Sequence, residues 1–183
     1  MRKLVLIAAL VLAACAPGAT HMTDISGAMP KLDFQMQRAS DGTAVSAADY
    51  RGKVVALYFG YTHCPDVCPA TLANLAAMLG RVGNPAVQVL FVTVDPARDT
   101  LPVLKQYAAA FSPQVDGLCG SDNQLADLAR RYRVAYSVKQ GPPYEVMHSN
   151  AVFFFDRTGK ARFVTTDTSD PAAMAEDVKR LLN

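Results

Sequence analysis

Apolar residues along this chain fall into short continuous runs separated by longer amphipathic stretches. Residues 54–59 and 87–94 are apolar runs of strand length, as expected for strands buried on both faces. Between them, residues 66–79 place Leu72, Leu75, Ala76 and Leu79 on one face of a predicted helix. Thr100 can cap a second helix, with Pro102 in its first turn and Val103, Leu104, Tyr107, Ala108 and Phe111 as its apolar stripe. Ser121 with Gln124 forms a capping-box pattern for a helix reaching about Tyr132. Residues 134–138 are a short strand candidate, 151–155 and 161–165 flank an Asp156-Arg157-Thr158-Gly159 turn, and Asp170-Pro171 opens a last helix. Its predicted buried face is Met174, Val178, Leu181 and Leu182. Near the start of the domain, Leu32, Phe34 and Met36 alternate with polar residues before an Asp41-Gly42 turn, which predicts a hairpin.

The predicted order is β-α-β-α-(α)-β-β-β-α, with the first two buried strands parallel through a right-handed crossover and the late pair a hairpin. This order resembles the thioredoxin-like arrangement: an α/β fold with an N-terminal β-hairpin extension and a central mixed sheet flanked by helices. A chain of 183 residues, 51% hydrophobic and 19% charged, suits one folded domain and excludes disorder. The net charge of +2 argues against a nucleic-acid partner, which would select a basic stripe.

The first residues are read separately. Arg2 and Lys3 precede an apolar run over 4–14, too short at ~1.5 Å per residue to cross a ~30 Å hydrocarbon core. It reads as a signal peptide. Leu12-Ala13-Ala14-Cys15 resembles a bacterial lipobox, which implies cleavage before Cys15 and lipidation of that residue. Residues 1–14 are thus expected as signal peptide, 15–30 (rich in Pro, Gly, Ser and Thr) as a flexible tether, and 31–183 as the domain. The expected location is outside the cytosol, lipid-anchored on the periplasmic side of a bacterial membrane, where disulfides persist.

The chemistry concentrates in Tyr61-Thr62-His63-Cys64-Pro65-Asp66-Val67-Cys68-Pro69, directly after a buried strand and at the start of a helix. This is the sheet edge where α/β folds place their sites, and a helix N-terminus favours thiolates. Thiolates four residues apart serve redox exchange or a soft metal. A helical i,i+4 pair has Cβ atoms about 5–6 Å apart, wider than a disulfide wants. The spacing therefore leans towards metal without excluding a disulfide. Among the histidines, His21 falls in the expected tether, and His63 adjoins Cys64 but points elsewhere in a helical turn. His148 precedes a strand in a loop that such a fold turns towards the cysteines; taken alone it reads as an ordinary surface or core histidine. Cys119 has no partner by spacing and reads as a small hydrophobe. Asp95 ends a buried strand on the same sheet edge, either as a turn cap or as a hydrogen-bond acceptor near the site.

The 61–69 segment, the stretch Phe91-Val92-Thr93-Val94-Asp95-Pro96-Ala97-Arg98-Asp99-Thr100 and the late His148-Ser149 together resemble the Sco/SenC family of copper chaperones for cytochrome c oxidase. The resemblance runs from about residue 30 to the end. It implies one copper ion held by Cys64, Cys68 and His148, with Asp95 as an acidic residue close by. Cu(I), and also Cu(II) through the imidazole, suits such a donor set. Implied partners are the copper-site subunit of the oxidase and another periplasmic copper carrier or thiol reductant. The function expected is a membrane-tethered metallochaperone rather than an enzyme. The alternative is a thiol-disulfide reductase that uses Cys64 and Cys68 to keep the acceptor's cysteines reduced.

Overall fold

The computed structural model describes residues 19–183; the expected signal peptide and Cys15 lie outside them. The strands β1 (Thr23–Asp24), β2 (Gln35–Arg38), β3 (Ala44–Ser46), β4 (Val54–Gly60), β5 (Val87–Thr93), β6 (Val115–Cys119), β9 (Val152–Phe155) and β10 (Ala161–Thr165) form one sheet. Its order is β1-β10-β9-β4-β5-β6-β2-β3. β4, β5 and β6 are parallel, and β9 runs antiparallel against β4. A separate two-stranded hairpin is formed by β7 (Tyr136–Lys139) and β8 (Glu145–His148).

The helices are α1 (Val67–Val82), α2 (Leu101–Ala109), α3 (Asp122–Arg131) and α4 (Pro171–Arg180). Strand alternation divides the core between the two sheet faces. Val54, Ala56, Tyr58, Phe91 and Phe154 pack with Leu72, Leu75 and Met78 of α1 and Met174 and Val178 of α4. Val55, Leu57, Phe59, Leu90 and Phe155 pack with Leu125 and Leu128 of α3. The result is a thioredoxin-like mixed sheet covered by helices, as the order of elements predicts.

Local signals act as expected at several ends. Ser121 accepts from the amide of Gln124 while Gln124 Oε1 accepts from that of Ser121, closing the capping box. Asp170 accepts from the amides of Ala172 and Ala173 at 3.0 Å. Thr100 stands at the N-cap of α2, but its side chain makes no capping bond.

Five expectations are corrected. Strand β6 was not foreseen, because Asp116 and Gly117 break its apolar run. The glycine is required: a Cβ at 117 would stand 2.6 Å from Leu104 Cγ. Residues 145–148, expected in a loop, form β8, and the strand expected at 134–138 is shifted to Tyr136–Lys139 to pair with it. Val103 faces solvent instead of joining the α2 stripe. Residues 19–30, expected in the tether, lie along the domain: β1 pairs with β10, Met22 is buried, and Asp177 accepts from the amides of His21 (2.7 Å) and Met22 (2.8 Å). Asp177 is itself fully buried within the apolar face of α4, so its carboxylate needs these donors and the Arg180 guanidinium 3.6 Å away.

Candidate metal centre

Cys68 is the second residue of α1 and fully buried. Its Sγ is accommodated by Gly60 at the end of β4, where an added Cβ would approach that sulfur to 3.0 Å and Phe91 Cε2 to 2.6 Å. Cys64 is not in the helix but in the turn before it, where its amide donates to Tyr61 O. The expected helical pair is thus a turn-and-helix pair, and the thiols still converge, because the amide of Cys68 donates to Cys64 Sγ at 3.4 Å. Both are free thiols.

The turn carrying Cys64 is held by Asp99. This buried carboxylate accepts from the amide of Thr62 (2.9 Å), the hydroxyl of Thr62 (2.6 Å) and the hydroxyl of Thr93 (2.6 Å). His148 arrives from the end of β8. Its Nδ1 lies 3.0 Å from Ser149 O, an atom that can only accept, so Nδ1 carries the proton. Nε2 is left with its lone pair towards Cys68 Sγ, 3.2 Å away. Tyr61 and Tyr58 stand edge-on to the imidazole, with centroids 5.8 and 6.1 Å from it. One ligand atom from each of Cys64, Cys68 and His148 lies within 4.8 Å of the others.

The two thiols differ electrostatically. Burial alone would raise Cys64, but the amides of Asp66 and Cys68 donate to its sulfur and hold it below the usual thiol value. Cys68 is pushed up to about 12, first by burial. The Tyr58 hydroxyl beside it is buried next to Cys68 and Thr71, with no hydrogen bond of good geometry to either. It becomes a donor as soon as Cys68 ionises. The site thus offers one thiol whose ionisation is favoured, one buried thiol that a metal must deprotonate, and one imidazole with Nε2 directed at the sulfurs. This set suits a soft ion at low coordination number.

Of the other predicted residues, His63 is exposed, with Nδ1 3.5 Å from Asp99 Oδ1. His21 contacts Glu176 at 3.0 Å rather than standing in solvent alone. Cys119 ends β6, half-buried, outside the ligand group. Asp95 is fully buried and also outside that group; it accepts from Tyr144 Oη at 2.8 Å and from Arg98 Nε. Sequence reasoning assigned no role to Gly60, Asp99, Arg98 or Tyr144. The legible signal was a second aspartate four residues after Asp95, just beyond a buried strand.

Fold and site define a thioredoxin-like domain carrying a Cys-Cys-His group at the edge of its parallel strands. The sequence model of the family described as SCO1/SenC matches residues 27–183, and the chain belongs to that family. It is 41% identical over 138 residues to the mitochondrial SCO2 homolog of Bos taurus, covering 72% of this chain and 50% of that protein. The chain thus spans about half the length of that curated relative. Copper-bound ScoI of Arabidopsis thaliana superposes with a TM-score of 0.76 at 32% identity, over 83% of this chain and 97% of that one. Copper-bound ScoI of Bradyrhizobium japonicum gives 0.75 at 33% identity, over 83% and 99%.

Proposed function

We propose that this protein is a copper metallochaperone. It binds one copper ion through Cys64, Cys68 and His148 and delivers it to the dinuclear copper site of cytochrome c oxidase. The observation that carries the reading is the convergence of those three donors, with the His148 lone pair already turned inward. The copper-bound relatives and the family resemblance support the choice of metal and of acceptor.

Loading is a ligand exchange without change of oxidation state. Copper displaces the thiol protons of Cys64 and Cys68 to solvent, more readily from Cys64, and Nε2 completes the set. Three donors leave one side of a Cu(I) ion open to attack by an acceptor sulfur, so release can proceed through shared coordination. The lipobox-like segment supports membrane tethering through Cys15, outside the cytosol; among the described residues no helix is long and apolar enough to cross a membrane.

One observation favours a second role, the reduction of an acceptor disulfide. The half-buried, poised Cys64 and the buried, protonated Cys68 have the asymmetry of an attacking and a resolving thiol. The two roles separate in an anaerobic Cu(I) titration of the reduced protein against a competing chelator. On the chaperone reading His148→Ala weakens copper binding about tenfold or more and leaves the Cys64–Cys68 reduction potential nearly unchanged. Unchanged copper affinity would remove His148 from the ligand set and favour the reductase.

A further inference from the structure

The parallel strands give the domain two unlike ends. Where β4 and β5 finish, at Gly60 and Thr93, stand the cysteines. At the opposite end β4 and β5 begin, β9 finishes and β10 starts, because Val54 pairs with Val87, and Phe155 with both Val55 and Ala161. α1 and α4 also close there. The amide of Val54 donates to Ala86 O beyond α1, and Arg157 Nη1 donates to Leu182 O beyond α4 at 3.4 Å.

The chain enters at this second end. Both terminal nitrogens of Arg180, in the last turn of α4, donate to Ala19 O at 3.3 Å. Because residues 19–30 lie along the domain, the stretch from Cys15 to Ala19 is short, and fully extended it reaches at most about 14 Å.

Basic residues gather at the same end. Arg51 precedes β4, Arg157 and Lys160 stand in the β9–β10 turn, Arg81 ends α1, and Lys179 and Arg180 end α4; all six are exposed. The carboxylates among them are engaged. Asp156 accepts from the amides of its own turn and lies 3.3 Å from Arg162, Glu176 meets His21, and Asp177 is buried. The cysteine end carries instead the exposed Asp66, Asp122, Asp167 and Asp170. Removal of Arg2 and Lys3 with residues 1–14 brings the 18 basic residues level with the 16 acidic ones, so the charge is sorted rather than in excess. Cations in the last turns of α1 and α4 complement the helix dipoles. Arg157 and Lys160 stand in a strand-to-strand turn, where no helix dipole calls for them.

We propose that this basic end is a contact face for anionic phospholipid headgroups, which seats the domain on the membrane with its cysteine end turned away. The contact rests on charge; the orientation also rests on the tethering through Cys15 read above. α1 alone, from Cys68 to Arg81, holds the thiols about 20 Å from the face. The metal group is thus offered at about that height, to an acceptor domain that itself stands off the bilayer.

The test uses the chain from residue 15 onward with Cys15→Ser, so that no lipid is attached, and vesicles of phosphatidylcholine with or without phosphatidylglycerol. Co-sedimentation should show binding only where phosphatidylglycerol is present, and the binding should be lost at high ionic strength. Each basic residue at an anionic surface changes partitioning about fivefold, so Lys160→Gln with Lys179→Gln should weaken binding about tenfold or more. Lys105→Gln with Lys139→Gln removes the same charge elsewhere and should change it less than about twofold. Bound vesicles should slow amide exchange at 156–160 and 179–183 and leave the turn at 61–66 unchanged. No binding, an equal loss in the two double variants, or protection at the cysteine turn would overturn the face. Mass spectrometry of the full chain reads the lipid on Cys15 separately. Its absence with vesicle binding intact removes the tether and the orientation it gives, whereas a lipidated protein whose domain ignores the vesicles sinks the face alone.

Discussion

His148 Nε2 stands 3.2 Å from Cys68 Sγ across 80 positions of sequence. The sulfur comes from the first turn of α1 and the nitrogen from the last residue of a hairpin outside the main sheet. Neither element touches the other through a backbone ladder. The geometry of the site is therefore set by loops and side chains, and substitutions that shift those by an ångström should be felt in metal binding.

The two thiols should react unequally. Cys64 is half-buried and held below the usual thiol value, whereas Cys68 is buried and pushed up to about 12. At neutral pH iodoacetamide should label Cys64 at least about tenfold faster than Cys68. Peptide mass mapping after brief labelling reads the ratio, and equal labelling would contradict the assigned asymmetry.

Cys68 also predicts an alkaline limit to stability. Above the unfolded thiol pKa the unfolded chain has released a proton that the folded chain keeps, so stability falls as pH rises from about 9 towards 12. Buried Tyr58 and Tyr107, both raised by burial, act in the same direction at still higher pH. Denaturant midpoints of the metal-free protein should fall over this range. The fall between pH 9 and 10 should be smaller in Cys68→Ser.

Gly60→Ala should loosen both core and site. The new methyl would meet Phe91 at 2.6 Å and Cys68 Sγ at 3.0 Å, with ring and thiol both buried. Overpacking of this kind costs about 1–3 kcal/mol. A denaturant titration reads that loss, and on the proposed three-ligand site a Cu(I) competition should show weaker binding because the displaced sulfur belongs to that donor set.

Tyr58→Phe should separate the metal-free from the loaded protein. With its buried hydroxyl in no well-formed hydrogen bond, the metal-free form should gain about 1 kcal/mol on losing it. The loaded form should lose copper affinity, because the Cys68 thiolate forfeits a donor. Opposite signs in thermal unfolding and in copper competition are the expected pair; the same sign in both would assign the hydroxyl another role.

Asp177→Ala should release the segment ahead of β1. Two amides, those of His21 and Met22, would lose their acceptor, at a cost of about 1–3 kcal/mol. Limited proteolysis should then cut between His21 and Met29, where the unaltered protein resists.

Much of this organisation was legible beforehand because local rules govern it. Alternating and continuous apolar runs located β2, β4, β5, β9 and β10. Ser121, Asp170 and Pro171 announced their helices. The cysteines at 64 and 68 declared a thiol site through composition and placement alone. Strands whose partners compensate for a weak pattern were less legible. β6 carries Asp116 and Gly117 through the sheet, β1 is a short exposed strand, and β8 is short and half-exposed. Residues 19–24 are held by pairing of β1 with β10 and by Asp177, a buried aspartate in α4 155 positions from Met22.

By itself, then, the sequence determined the α/β layering, the two thiols at a helix start and, through family resemblance, the histidine that joins them, because period, capping and motif act over a few residues. Tertiary structure alone decided that His148 turns Nε2 inward, that Cys68 is the buried thiol and Cys64 the poised one, and that Asp95 serves the hairpin rather than the ligand group. Those outcomes depend on burial and on hydrogen bonds between segments far apart in the chain, and neither exists until the sheet has brought them together.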